Sequence, residues 1–267
     1  MRIGHVVLVG AGGIGGRVAE PVLRMLRHHK NGAPSMTIVD GDGFEDKNAE
    51  RQIGAGGNGG RNKAETLAAM LTEEIGTDVA HVTAENVYLN DSRAGRILAE
   101  AIETAKQTDG LPLVIAAVDN DATRRCLLDA LVPTDALPGM DPLPPLGDFV
   151  FLSPGNELHT AGLQVFGRVG DYTIGTDPRE TSLGIQNPKD HIPGGTCHKA
   201  LPSTPQIVAA NMGAAWLTVS ALQALLDDAV VWPWVTMNVQ TFSSEGRGNP
   251  SLVVNPKGAG AEPVKAS

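Results

Sequence analysis

The sequence predicts an α/β protein, a Rossmann-like, doubly wound, mostly parallel sheet with additional antiparallel strands in its second half. Three observations predict it. An apolar strand, His5-Val6-Val7-Leu8-Val9, breaks into the glycine run Gly10-Ala11-Gly12-Gly13-Ile14-Gly15-Gly16. Strand-like and helix-like periodicities then alternate through about residue 133, the pattern of a parallel sheet with crossover helices. Beyond a proline-rich stretch the grammar changes to hairpin-like runs followed by one long apolar helix.

The glycine run justifies the first element. Gly10 and Gly12 let the backbone approach a phosphate, Gly13 continues the turn, and Gly15 lets the next helix pack on the strand with its amides aimed at an anion. That pattern fits a dinucleotide-binding dehydrogenase as easily as an ATP-using enzyme. Helical spacing of Val18, Val22, Leu23 and Leu26 predicts a helix over Ile14 to Lys30, bent or tolerant at Pro21. A second strand over Met36 to Asp40 ends in an acid, and a helix over Asn62 to Ile75 follows. Strands over Asp78 to Val82 and Leu111 to Val118 flank a helix over Ala94 to Lys106. Pro133 to Gly147, with five prolines, reads as an extended connector. Phe149 to Leu152 and Leu163 to Val169 read as strands, Asp171 to Pro202 as a long irregular stretch, Thr204 to Leu226 as a strong helix, and Val230 to Phe242 as at least one more strand. The division expected is a nucleotide-binding half at 1–133, a partner-binding and crossover half at 134–244, and a mostly flexible tail at 245–267.

Composition excludes more than it identifies. With 30 acidic against 21 basic residues, a net charge of −9 and no long Lys/Arg run, direct binding to nucleic acid or anionic membrane is not expected. No apolar stretch reads as approaching the roughly 18 residues of a bilayer span, and no signal segment opens the chain, so a soluble, cytoplasmic protein is expected. Two cysteines, Cys126 and Cys197, exclude a disulfide scaffold and a four-thiolate zinc site, and no zinc is expected. Cys126 lies among Leu127, Leu128 and Leu131 and reads as core.

Between the second strand and the second helix lies Asp40-Gly41-Asp42-Gly43-Phe44-Glu45-Asp46-Lys47-Asn48-Ala49-Glu50-Arg51-Gln52, followed by Lys63. A nicotinamide enzyme needs the acid at the strand end but has no use for an amide and two cations converging on the phosphate side. A departing pyrophosphate does need them, because charge accumulates on its oxygens. Asn48 and Arg51 are one helical turn apart. The fourth strand ends in Val118-Asp119-Asn120-Asp121, which brings Asp119 to the edge where open α/β sheets bind ligands and where a carboxylate can hold Mg²⁺ against phosphate. Plain alternatives stand beside each residue: Asp119 as a helix cap, Arg51 in a surface ion pair, Asp42 as a turn former.

Together these residues resemble the ThiF/MoeB/ubiquitin-activating-enzyme (E1-like) family. Its nucleotide domain carries a Gly-x-Gly-Gly-(Ile/Leu)-Gly turn, an Asp-x-Asp strand end, an Asn-x-x-Arg-Gln segment, a Lys opening the next helix and an Asp-Asn pair after the fourth strand. All five occur here in that order. The resemblance covers residues 5 to 133 well, thins, and returns near Cys197; a finer likeness is to the PRTRC-system ThiF group. It implies ATP and Mg²⁺ as cofactors, with Asp40 on the ribose, Asn48, Arg51 and Lys63 on the phosphates, and Asp119 on magnesium. Asp42, Gln52 and Asn120 fall within the same motifs.

The reaction the resemblance implies is adenylation of the C-terminal carboxylate of a small ubiquitin-like (β-grasp) protein or sulfur carrier by a homodimeric adenylyltransferase. An onward thioester or persulfide step at Cys197 is the catalytic reading of Gly194-Gly195-Thr196-Cys197-His198-Lys199; a small buried hydrophobe is the plain one. The N-terminal helices that lend an arginine to the partner subunit in simple members have no counterpart, and spacing selects neither Arg2 nor Arg17 as a substitute. An NAD(P)-dependent oxidoreductase and an inactive E1-like scaffold are the alternatives.

Overall fold

The computed structural model describes residues 1–29, 35–77, 80–133, 146–190 and 207–252. The first half runs β1 (Ile3–Val9), α1 (Gly15–His28), β2 (Ser35–Val39), a single 3-10 turn (Asp46–Asn48), α2 (Lys63–Ile75), β3 (His81–Glu85), α3 (Asp91–Lys106), β4 (Leu111–Ala116) and α4 (Asp121–Leu131). The second half adds β5 (Phe149–Asn156), β6 (Thr160–Val169), β7 (Tyr172–Gly175), α5 (Pro178–Thr181), α6 (Leu183–Gln186), α7 (Val208–Leu226), β8 (Val230–Val231), β9 (Trp234–Asn238), β10 (Ser243–Arg247) and β11 (Ser251–Leu252).

One large sheet holds nine of these strands, in the order β10-β9-β6-β5-β4-β1-β2-β3 with β7 also paired to β6, and β8 and β11 form a separate two-stranded sheet. From β3 to β5 the pairings are parallel; β5-β6, β6-β7, β6-β9 and β9-β10 are antiparallel. The expected Rossmann-like sheet with antiparallel additions is therefore the fold. Strand order reverses between β1 and β4, the place where open α/β sheets leave a crevice at their carboxyl ends.

Both faces are covered, which is why the central strands are apolar throughout rather than alternating. Leu8, Ile115, Leu152 and Val165 pack under α1, α2 and α7, while Val9, Ala116, Phe151 and Phe166 pack under α3 and α4. Cys126 is buried in the second layer, as its leucine neighbours predict. The short helix α5 docks on α4 through Arg179, and α6 through the Arg125 guanidinium donating to the Gln186 carbonyl. The buried Arg179 guanidinium donates to the carboxylates of Asp129 (2.7 Å) and Asp177 (2.6 Å) and to the Val132 carbonyl (2.8 Å).

Several boundaries differ from expectation, each for a physical reason. β3 lies at His81–Glu85 rather than ending at Val82, because as an edge strand it exposes His81 and Thr83 and loses the apolar signal. β5 runs through Pro154, beyond the last β4 pair at Leu152, so the missing proline N–H faces no neighbour on that side. The stretch after Asp171 contains β7, α5 and α6, each too short to give a periodic signal. Pro233 splits the run after Val230 into β8 and β9. Order continues past Glu245, since Ser243–Arg247 pairs with β9 and Ser251–Leu252 with β8.

α7 corrects the reading of the apolar stretches. At 19 residues and a mean hydropathy of 1.3 it is long and apolar enough to cross a bilayer by length and composition. It packs instead on α1, β5 and β6, with Ala214, Leu222 and Leu225 fully buried, as a core helix of this sheet.

His5 makes the fold acid-sensitive. On β1 its ring is buried, with Nδ1 at 2.7 Å from Ser35 Oγ and Nε2 at 3.1 Å from Thr37 Oγ1. Burial, and then the neighbouring His81, lower its pKa from 6.5 to about 4. An unfolded histidine takes its proton near 6.5 and the folded one only near 4, so this contribution is intact above pH 6.5 and is lost as the pH falls toward 4. The expected loss is about 3 kcal/mol. Urea denaturation of wild type and His5→Leu across that window checks it: the variant's acid limb should be flatter.

Candidate functional site

The glycine turn sits at the β1–β4 reversal. Gly10 has φ +92°, and a Cβ there would meet the Ala117 carbonyl oxygen at 2.5 Å. A Cβ on Gly15 would overlap the Gly10 carbonyl, so the close approach of α1 to the turn depends on that glycine. At Gly12 the nearest atom to a Cβ is Gln52 Nε2, at 3.8 Å, so space lies open over the turn. Among the described residues the amides of Gly12, Gly13 and Ile14 have no hydrogen-bond partner, and α1 has no side-chain cap. An open helix N-terminus of this kind attracts anions.

Asp40 closes one side. Its carboxylate accepts from the amides of Ala11 (2.7 Å) and Asp42 (2.9 Å), which joins the end of β2 to the turn. Burial raises its pKa above the ordinary value, against the pull of those two amides and of the Lys63 ammonium.

Lys63 opens α2 and is buried, with Nζ 3.0 Å from an Asp42 carboxylate oxygen. The other Asp42 oxygen accepts from the Tyr88 hydroxyl at 2.7 Å, which pushes the phenol pKa up to about 12. Asn62 pins this corner: it caps α2 through the Glu65 amide and donates to the carbonyls of Asp40 and Asp42. Sequence reading missed Asn62 and Tyr88. The spacing Asn62 to Glu65 ahead of an apolar run was a signal for the cap; nothing local marks Tyr88.

Arg51 is brought to the turn through its backbone. Arg17 Nη1 donates to the Gly13 carbonyl (2.7 Å) and to the Arg51 carbonyl (2.8 Å), bridging the two segments. Asn48 is buried, and its side chain closes the 3-10 turn by accepting from the Glu45 amide. Its carbonyl accepts from the amides of Arg51 and Gln52, so Asn48 shapes the loop that presents both. The Gln52 Oε1 is buried without a partner. Arg17, half-buried, is thus held as a staple between two segments of its own chain, and Arg2 lies at the opposite end of β1 from the turn.

On the β4 side, Asp119 is exposed, and its carboxylate has no hydrogen-bond partner among the described residues. Asn120, not Asp119, caps α4, accepting from the Thr123 amide at 2.8 Å. The next two amides, of Asp121 and Ala122, are taken by the Asp190 carboxylate at 2.7 and 2.9 Å. No group of three metal-ligating side chains occurs among the described residues. One exposed carboxylate beside an anion site nevertheless suits a Mg²⁺ that arrives with phosphate oxygens as its other ligands. Cys197, His198 and Lys199 lie outside the described residues.

A residue that sequence reading did not single out completes the surround. Asn211, in the first turn of α7, is fully buried, and neither its Oδ1 nor its Nδ2 has a partner. A Cβ on Gly13 would fall on its carboxamide. An Asn in the first turn of a long, mostly apolar helix was the available signal.

The ThiF family model matches residues 1–224, which include every part of this site. The chain belongs to the ThiF family. No curated protein matches this ThiF-family chain by sequence. Among solved structures, E. coli MccB with ATP superposes at a TM-score of 0.55, with 15% identity over 94% of this chain and 66% of MccB. E. coli MccB with AMPCPP and MccA gives a TM-score of 0.56, 15% identity, and coverage of 91% and 63%. PaaA gives 0.56 and 13%, over 94% of this chain and 73% of its own. At these identities the likeness is one of fold. The chain spans slightly less than two thirds of the MccB structure with AMPCPP and MccA.

Proposed function

We propose that this ThiF-family protein uses ATP and Mg²⁺ to adenylate the C-terminal carboxylate of a small protein of the ubiquitin-like or sulfur-carrier kind, releasing pyrophosphate. The observation that carries the reading is the meeting, at one sheet edge, of an unpartnered amide turn, the carboxylate of Asp40 and the two cationic residues Arg51 and Lys63. The solved MccB complexes with ATP and with MccA support the same class of chemistry in a protein of this fold.

In this reading the amides of Gly12 and Gly13 take a phosphate and Asp40 accepts the ribose hydroxyls. Lys63 and Arg51 face the β- and γ-phosphates, Lys63 leaving Asp42 to do so; Gln52 and the loop shaped by Asn48 line the same side. Asp119 would hold Mg²⁺, which when bound supplies charge neutralisation to the phosphates. A carboxylate oxygen of the substrate forms a bond to the α-phosphorus in line with the α–β bridge. That bridge breaks, and pyrophosphate departs with the bond's electron pair. Positioning and charge neutralisation carry the rate, since little covalent help is needed.

Residues 134–244 are assigned to the protein substrate and to contact between two copies of the chain. Cys197 is assigned at most to a later thioester or persulfide step, after the adenylate has formed.

The test is isotope exchange from labelled pyrophosphate into ATP with Mg²⁺ and small β-grasp proteins from the same genome neighbourhood. Exchange that depends on such a protein and survives Cys197→Ala is expected. No exchange with any candidate, together with tight NAD binding by calorimetry, would replace the proposal with an oxidoreductase.

A further inference from the structure

Burying a carboxamide with none of its hydrogen bonds made costs the desolvation of each group left unsatisfied. A group of this kind in a native protein calls for an explanation, and a bound ion or ligand that supplies the missing partner is one. Asn211 is this case. Its Nδ2 and Oδ1 are both buried and both unpartnered, and the side chain lies against Gly13, in the turn whose amides have no partner among the described residues.

The Asn211 Nδ2 is the nearest atom to the Cβ position of Gly13, so the carboxamide lies directly against the residue between the open amides of Gly12 and Ile14. Any residue but glycine at position 13 would occupy that space. Gln52, which flanks Gly12 and holds another buried unpartnered oxygen, marks a second side chain left unsatisfied around the same turn.

We propose that Asn211 is a phosphate-binding residue of the nucleotide site, its Nδ2–H donating to a phosphate oxygen held by the Gly12–Gly13 amides. The inference rests on the nucleotide reading above and assigns to it a helix that carries no motif of the glycine-turn half. In the free protein the carboxamide is covered, so the anion meets it as the covering atoms move aside.

Calorimetry with Mg·AMPCPP, which cannot pass its α-phosphate on with loss of pyrophosphate, tests this on wild type and Asn211→Leu, with thermal melting of each free protein. Leucine has the same branching and number of heavy atoms and leaves no polar group unpaired, so the free variant should melt at or above the wild-type temperature. Its AMPCPP affinity should fall about ten- to a hundredfold, the range for a hydrogen bond to a charged group. A side chain with a merely structural role predicts the reverse: a lower melting temperature and unchanged affinity. Wild-type affinity in Asn211→Leu overturns the assignment while leaving the nucleotide reading in place. A wild-type protein that takes up no AMPCPP removes both. Should Asn211→Leu fail to fold, Asn211→Ala, which only removes atoms, is measured in its place under the same criterion.

Discussion

Replacing Arg51 by alanine is expected to lower partner-dependent pyrophosphate exchange by about two to three orders of magnitude, the usual cost of removing one donor from a site that stabilises developing charge. The melting temperature should stay near wild type. The backbone of residue 51 is held from outside its own side chain, by Arg17 on its carbonyl and by the Asn48 carbonyl on its amide. Truncation at Cβ therefore leaves the loop in place. Arg51→Lys keeps the charge but loses the planar fork, so it should recover only part of the rate. Lys63→Ala is a less clean experiment: it also breaks a buried ion pair and leaves Asp42 with the Tyr88 hydroxyl, so lost stability accompanies lost rate. Wild-type exchange in a folded Arg51→Ala would remove the residue from the mechanism.

The second large effect separates two glycines of the same turn. Gly15→Ala places a methyl group on the Gly10 carbonyl, a backbone atom that cannot swing aside, so α1 has to back away from the turn. Destabilisation of about 1–3 kcal/mol or more is expected, with nucleotide binding lost alongside it. Gly12→Ala meets only the far end of Gln52, at 3.8 Å, and should melt like wild type. Its methyl group nevertheless occupies space in front of unpartnered amides, and nucleotide affinity should fall by about tenfold or more, the loss of a hydrogen bond to a charged group. Thermal melting and AMPCPP calorimetry on both variants check the contrast. Equal melting temperatures for the two, or wild-type affinity in Gly12→Ala, would contradict the division between a packing glycine and a binding glycine.

The parallel half was legible because its strands are buried on both faces and its helices carry one apolar stripe, so composition and periodicity both point the same way. β9 was legible only as part of one longer run over Val230 to Phe242, each of its residues being half-buried, and β10 was not legible at all, since it is largely exposed and leaves no alternation to read. In the site, the glycine turn, Asp40 and Lys63 announce themselves locally. Asn120 was legible as a motif residue but not as the cap of α4, because the side chain that caps a helix and one that meets a ligand occupy the same kind of position at a strand end. Asn211 and Tyr88 act only through elements distant in sequence, against Gly13 and Asp42 respectively, and no window along the chain contains both partners.

That distance bears on how the protein is made. Gly13 lies in the first crossover and Asn211 in the last long helix, so synthesis from the N-terminus completes the turn, Asp40 and Asn120 well before the side chain that packs against Gly13 exists. Contacts of such separation form late and slow the folding of the chains that rely on them. A nascent chain that has reached only α4 holds the sequence of strands β1 to β4 but nothing to place beside Gly13, and the share of nucleotide affinity proposed for Asn211 arrives only with the docking of α7.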